Sequence, residues 1–304
     1  MKKNNPVSVL ILIFTALVWG CAFVAQSMGG DAMGPLSFAC VRSFITSAAL
    51  AVLLLILNLA GKGGRRPESS EEWRTLLKNG IPCGVCLYLI TMCQQLGMAA
   101  GTAVGKAGFL TACYVVLVPL LGLLLGKRCG RKVWLAVGLT IAGLYLLCIT
   151  GSFSFQSSDL IVFGAAVACA VQIIIIDGCI DRVDAIRLSL VQFITSAVVG
   201  IVPMLVFELI PCGFGEWSAG ILSTDALIPL LYAGIISGAG GYTLQMFGQK
   251  GCEPAAASIL MSLESVFSVL AGWVLLGQVL SGRELFGCAL IFAAVVLAQL
   301  PDKE

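Results

Sequence analysis

The chain has 304 residues, of which 59 % are hydrophobic and only 11 % charged, with a formal net charge of +2. A water-soluble domain of this length needs about 25 % charged residues to cover its surface, so with a mean hydropathy of +1.02 the solvent of this chain is mostly lipid. The sequence holds no histidine, which excludes imidazole proton relays and histidine-bearing metal sites.

Ten apolar runs follow one another, each near the roughly 20 residues that cross about 30 Å of hydrocarbon. They are Val7–Met28, Pro35–Ala60, Gly80–Ala100, Val104–Gly126, Val133–Thr150, Asp159–Ile176, Ala185–Phe207, Ala226–Gly248, Pro254–Gly277 and Glu284–Leu300. Lipid offers no partner for an exposed backbone amide, so each run is expected to be a helix. Pro119, Pro203 and Pro229 fall inside runs and are expected to kink them. The opening MKKNNPVSVLILIF has the look of a secretory signal, but its apolar core is too long and nine more runs follow. Trp19 stands where a lipoprotein site before Cys21 would want small residues, so the segment is expected to be an uncleaved first span.

Between the second and third runs, ESSEEWRTLLKN (68–79) mixes charge with Trp73, Leu76 and Leu77, the pattern of a short interfacial helix. Cys83 and Cys86 form a CxxC in the third run. With no second pair and no histidine, they read as small hydrophobes rather than a redox or metal site. GTAVGKAG (101–108) resembles a phosphate loop only superficially. The spacing before Lys106 is one residue short, and alanine follows where a serine or threonine would bind magnesium. That excludes an ATP-hydrolysing pump within the chain, and no cofactor, enzymatic activity or nucleic-acid partner is expected.

The pentapeptide FITSA occurs at residues 44–48 and again at 193–197. Extending the match keeps the order of small, aromatic and aliphatic positions, with the offset passing from 149 to 150. QLGMAAG (95–101) faces QMFGQKG (245–251), and FLTACYVVLVPLLG (109–122) faces ILMSLESVFSVLAG (259–272). The expected fold is therefore an all-α integral membrane protein of ten transmembrane helices, built as two inverted five-helix repeats over residues 1–150 and 151–304. Five helices per unit is an odd number, so the second unit enters from the opposite side. KRCGRK (127–132) is strongly basic, while its counterpart QVLSGRE (278–284) holds one Arg and one Glu. Fifteen of the eighteen Lys and Arg residues fall on the side of the N-terminus. By the positive-inside rule this places both termini in the cytoplasm, in a multi-pass protein of the plasma membrane.

ALVWGCAFVAQ (16–26), GKAGFLTACYVVLVPLLGLLLG (105–126) and SLESVFSVLAGWVLLGQ (262–278) resemble the EamA-type branch of the drug/metabolite transporter superfamily. The resemblance extends over essentially the whole chain. It implies ten spans, cytoplasmic ends and movement of small metabolites, often outward, and it implies that the GKAGFLT stretch bearing Lys106 runs along a central cavity. Members often carry an acidic residue where this chain has Gln278, so no role is assigned there.

Residues that serve a scaffold tend to recur in both repeats, whereas those that serve an asymmetric ligand need not. The ionisable residues within the runs do not recur: Arg42 faces Val191, Lys106 faces Ala256, and Glu264 faces Tyr114. Glu264 lies about 15 Å into its helix, near the midplane. A carboxylate there costs at least about 2.5 kcal/mol. It serves either as a proton-coupling or substrate-amine site, or as a buried structural carboxyl paired to Arg42 or Lys106. Arg42, about 10 Å deep, either clamps a substrate carboxylate or ties helices together, and Lys106 either lines the cavity or snorkels. Gln95 and Gln245 occupy equivalent positions, and Trp19 and Tyr114 are aromatic candidates. The candidate set for substrate binding or coupling is thus Glu264, Lys106, Arg42, Tyr114, Gln95, Gln245 and Trp19, with no metal site. The expected function is secondary active transport by alternating access, exporting a small metabolite such as an amino acid, driven either by the proton gradient or by substrate exchange. A broad-specificity drug exporter and a non-transporting membrane receptor are the alternatives.

Overall fold

The computed structural model describes residues 5–61, 64, 66–102, 104–127, 129–149, 156–276 and 281–299. Among these every regular element is helical. The helices are α1 (Pro6–Met33), α2 (Pro35–Leu59), α3 (Ser70–Ala99), α4 (Val104–Ala112 and Tyr114–Leu124), α5 (Arg131–Cys148) and α6 (Ser157–Cys179). They continue with α7 (Ala185–Cys212), the short α8 (Phe214–Leu222), α9 (Thr224–Lys250), α10 (Pro254–Met261 and Leu263–Leu276) and α11 (Gly282–Gln299). Among the described residues nine helices are long and apolar enough to cross a membrane, and α1 contributes a shorter described apolar stretch, Pro6–Ala22. Gln278, like Lys2, Lys3, Lys62, Arg65, Arg128 and Lys303 of the charge argument, lies outside the described residues.

The bundle is apolar outside and partly polar inside. Leu10, Phe14, Leu124, Val202, Phe207 and Val296 face outward, whereas Thr15, Thr46, Gln172, Gln192, Ser258 and Ser262 are buried. That distribution suits a lipid solvent, in which polar side chains find partners only within the protein.

Residues 68–79 do not form a separate interfacial helix. Ser69 caps the Glu72 amide at 3.1 Å, and Glu72 returns a bond to the Glu68 amide at 2.8 Å. The Ser69 cap starts a helix that runs unbroken from Ser70 to Ala99, so the segment is the first turns of α3. Two other helices are broken where side chains take carbonyls away from the ladder. In α4 the Cys113 thiol bonds the Phe109 carbonyl, and in α10 the Ser262 hydroxyl bonds the Ile259 carbonyl at 2.7 Å. In α7 and α9 the backbone widens into π-helix at Leu205–Leu209 and Tyr232–Gly241, shortly after Pro203 and Pro229.

Glycines bring the helices into contact. A side chain at Gly84 of α3 would strike Gln192 and Thr195 of α7, and one at Gly234 of α9 would strike Ile45 and the Arg42 carbonyl of α2. Each member of the second trio differs by 150 positions from its match in the first. Gly143 and Gly287 set α5 and α11 backbone to backbone, each approaching the other's carbonyl. The remaining pairings are α1 with α9 and α10, α6 with α3 and α4, and α2 with α7.

Candidate functional site

The two helix breaks and the π-helix of α9 meet at one central cavity of about 60 Å³. A single water needs roughly 10–15 Å³ on this measure, so the space holds several waters or a small solute. Five of the seven candidates line it: Trp19, Arg42, Tyr114, Gln245 and Glu264. Their placement follows from local structure. Tyr114 opens the second half of α4 directly after the break at Cys113, and Glu264 stands two residues beyond the break at Ser262. The Trp19 indole donates to the Ser237 carbonyl at 3.3 Å, within the π-helix of α9. Its ring lies 4.8 Å from that of Tyr242, which meets Phe193 edge-on at 5.1 Å. Such stacked aromatics form a rigid wall.

The two buried charges of this cavity do not pair with each other. Arg42, 4 % exposed, donates to the Gln26 side chain at 3.1 Å and lies beside the Tyr242 hydroxyl. Glu264, 8 % exposed, lies beside Tyr114. Among the described residues neither has an ion-pair partner within 4.0 Å. The structural pairing of Glu264 with Arg42 or Lys106 is therefore not formed. Lys106 instead pairs with Asp159 at the start of α6, away from the cavity lining. Asp159 is fully buried and also accepts from the Thr102 hydroxyl at 3.1 Å and the Gln156 amide at 2.8 Å.

Gln95 is buried but does not line the cavity; its neighbour Gln94 does, donating to Thr111 at 3.3 Å. The reason is register. Gly97 packs on Val162 and the Ser158 carbonyl, and Gly248 packs on Leu12 and the Ser8 carbonyl. Between those glycines the offset has grown from 150 to 151, because the π-helix of α9 accommodates one additional residue. The packing counterpart of Gln245 is thus Gln94. The Gln245 carbonyl oxygen has no protein partner and lines the cavity. Gln26, Thr91, Thr111, Gln172, Ser237 and Tyr242 add to the polar lining. Asp159 and Gln26 are absent from the sequence candidates, and each is identified by the cation it meets, Lys106 or Arg42. Among the described residues no cluster of His, Cys, Asp and Glu could hold a metal ion.

Membrane-length helices that converge on one buried polar cavity are the architecture of a membrane protein built around a small polar solute. The chain belongs to the EamA-like transporter family, whose model matches residues 7–149 and again 156–300. It is 27 % identical over 294 residues to an uncharacterized transporter of Archaeoglobus fulgidus, covering 95 % of this chain and 84 % of that one. It is 26 % identical over 276 residues to the uncharacterized transporter YwfM of Bacillus subtilis, covering 86 % and 82 %. One solved crystal structure superposes with a TM-score of 0.76 over 99 % of both chains at 21 % identity, a likeness of fold.

Proposed function

We propose that this protein is a secondary active transporter that moves a small zwitterionic metabolite, such as an amino acid, by alternating access. The observation that carries the reading is the separation of Arg42 and Glu264 within one cavity, each held by neutral neighbours. A buried charge without a counter-charge is costly. A solute carrying a carboxylate and an ammonium relieves both costs at once: the carboxylate binds Arg42 and Gln26, and the ammonium binds Glu264 beside Tyr114. When no ammonium is present Glu264 takes up a proton, so proton and substrate compete for one carboxyl. That competition couples the two fluxes. The small polar cavity favours such a solute over a bulky lipophilic drug.

The reading includes ten spans arranged as two inverted halves, with both ends cytoplasmic and transport outward. The twofold match of the family model, the paired breaks in α4 and α10, and the reciprocal glycine contacts of α3–α7 and α9–α2 support the repeat. Inverted halves supply two mirror-related states open to opposite faces.

The test is flux into proteoliposomes under a pH gradient with a panel of labelled amino acids. A transported amino acid should accumulate, and analogues lacking the amine or the carboxyl should compete at least tenfold more weakly, the factor for about 1.4 kcal/mol. Saturable binding with no internal accumulation would establish a receptor instead.

A further inference from the structure

A second space, of about 330 Å³, lies between α4, α6 and the start of α10. Its lining includes Val118, Gly122, Lys127, Cys129, Asp177 and Glu253. The same three helices line the central cavity, and the residues step down them in register. On α4, Tyr114 faces the cavity and Val118 the second space; on α6, Ile173 faces the cavity and Asp177 the second space. Four residues are one helical turn, about 6 Å. On α10 the step from Met261 to Ala255 is slightly longer. Val115 and Ala257, members with Ile173 of one buried hydrophobic cluster, fall along their helices between residues that line the two spaces.

The Lys127–Asp177 ion pair lies in the lining of this chamber. The opposite ends of the same two helices are joined by Lys106–Asp159. Helices α4 and α6 therefore run parallel, with a Lys–Asp pair at each end. The two pairs differ in kind. At Lys106–Asp159 the side chains are 13 % and 0 % exposed, and Asp159 has two further hydrogen bonds. At Lys127–Asp177 they are 46 % and 12 % exposed. Removing one partner of a buried, hydrogen-bonded pair is costly, whereas an exposed pair is weak and exchanges readily with water.

We propose that the chamber is the entry vestibule to the central cavity from the basic face, with Lys127–Asp177 as its gate and Lys106–Asp159 as the pivot about which α4 and α6 part. The inference rests on the transport reading for its purpose, but its test needs no substrate. Cys169 lines the central cavity and Cys129 the vestibule. In a protein that retains only Cys169, the rate of modification by a small cationic methanethiosulfonate reagent is measured in oriented vesicles, from each face in turn. Lys127→Gln and Asp177→Asn should each raise the rate from the basic face about twofold to fivefold, the population shift that follows loss of one exposed ion pair. The two substitutions change local charge in opposite senses. An effect of field on the cationic reagent would move the rates apart, whereas opening of a gate moves them together. Asp159→Asn, which loosens the pivot and leaves the gate pair intact, should raise the rate from the basic face less than either gate variant. Unchanged rates in both gate variants, rates that diverge with the sign of the charge, or an equal rise in Asp159→Asn would each overturn the proposal. Failure of flux with accessibility as expected would instead remove the transport reading and leave the vestibule in place.

Discussion

Glu264 and Arg42 share a cavity without sharing a bond, and the consequence at the scale of single residues is that each can be neutralised separately. Glu264→Gln keeps the shape and removes the ionisable group. Because Lys106 is paired with Asp159 and Arg42 with Gln26, the change strands no cation. Insertion and melting temperature should be unchanged or slightly raised, since a charge at membrane depth costs at least about 2.5 kcal/mol. Transport driven by a pH gradient should fall tenfold or more, the factor for about 1.4 kcal/mol of lost differential binding. A stable Glu264→Gln protein with normal pH-driven flux would refute the role assigned to this carboxyl. Arg42→Lys tests the other pole. A lysine keeps the charge but loses the planar fork that engages Gln26 and a carboxylate together. Apparent affinity for the transported solute should drop about tenfold while folding persists, read as a rise in the half-saturating concentration of flux. An unchanged half-saturation would mean that the carboxylate binds elsewhere.

At the scale of helices, several junctions depend on contacts between segments far apart in sequence. The start of α2 shows this. Glu208, in the π-helical part of α7, accepts from the amides of Leu36 and Ser37 at 2.8 and 2.6 Å. It caps the helix and meets the positive end of its dipole. Gly34 sits at φ +88°, and a side chain there would come within 2.9 Å of that carboxyl. Glu208→Ala should therefore cost about 0.5–2 kcal/mol, as loss of a cap does, and appear as a lower melting temperature in detergent. Gly34→Ala should destabilise as well, through both the positive φ and the crowding. An unchanged melting temperature in both would show that the cap carries no stability. Lys106→Met and Asp159→Asn should each destabilise by about 1–3 kcal/mol, because each leaves a buried polar group unsatisfied. Lys106→Met combined with Asp159→Leu should lose less than the sum of the single changes. Additive losses would show the two side chains to be independent. The starts of α2, α7 and α10 at Pro35, Ala185 and Pro254 are legible in the sequence because caps, prolines and changes of hydropathy are local. Glu208, Asp159 and the Gln94 register are not, because each depends on a segment elsewhere or on a π-helical residue that spacing alone does not reveal.

At the scale of the whole molecule, the duplicated pattern is legible because it rests on many weak matches at nearly constant offsets of 149 to 150. The cavity is legible in part. Burial of charge at depth singles out Arg42 and Glu264 whatever their partners, and it singles out Lys106 just as strongly although Asp159 takes it elsewhere. The proposed sidedness rests on the basic residues, fifteen of eighteen of which fall on one face of the expected ten-span arrangement. On that reading the 127–132 loop, with Cys129, is cytoplasmic and the start of α11 lies outside. Cys129 is partly buried, and burial together with nearby Glu253 pushes its thiol above the usual range. The thiolate is the reactive form, so labelling of Cys129 should be slow near neutrality and should accelerate as pH rises. Slow reaction at pH 7 is then a matter of chemistry and not of location, and the measurement belongs at about pH 8–9. In a protein with the other cysteines replaced, an impermeant maleimide should leave Cys129 unmodified in intact cells and modify it after permeabilisation. Gly282→Cys, at a position where a side chain meets no neighbouring atom, supplies the opposite face and should react in intact cells. Labelling of Cys129 from outside, with Gly282→Cys protected, would invert the topology. The vestibule would then open to the exterior.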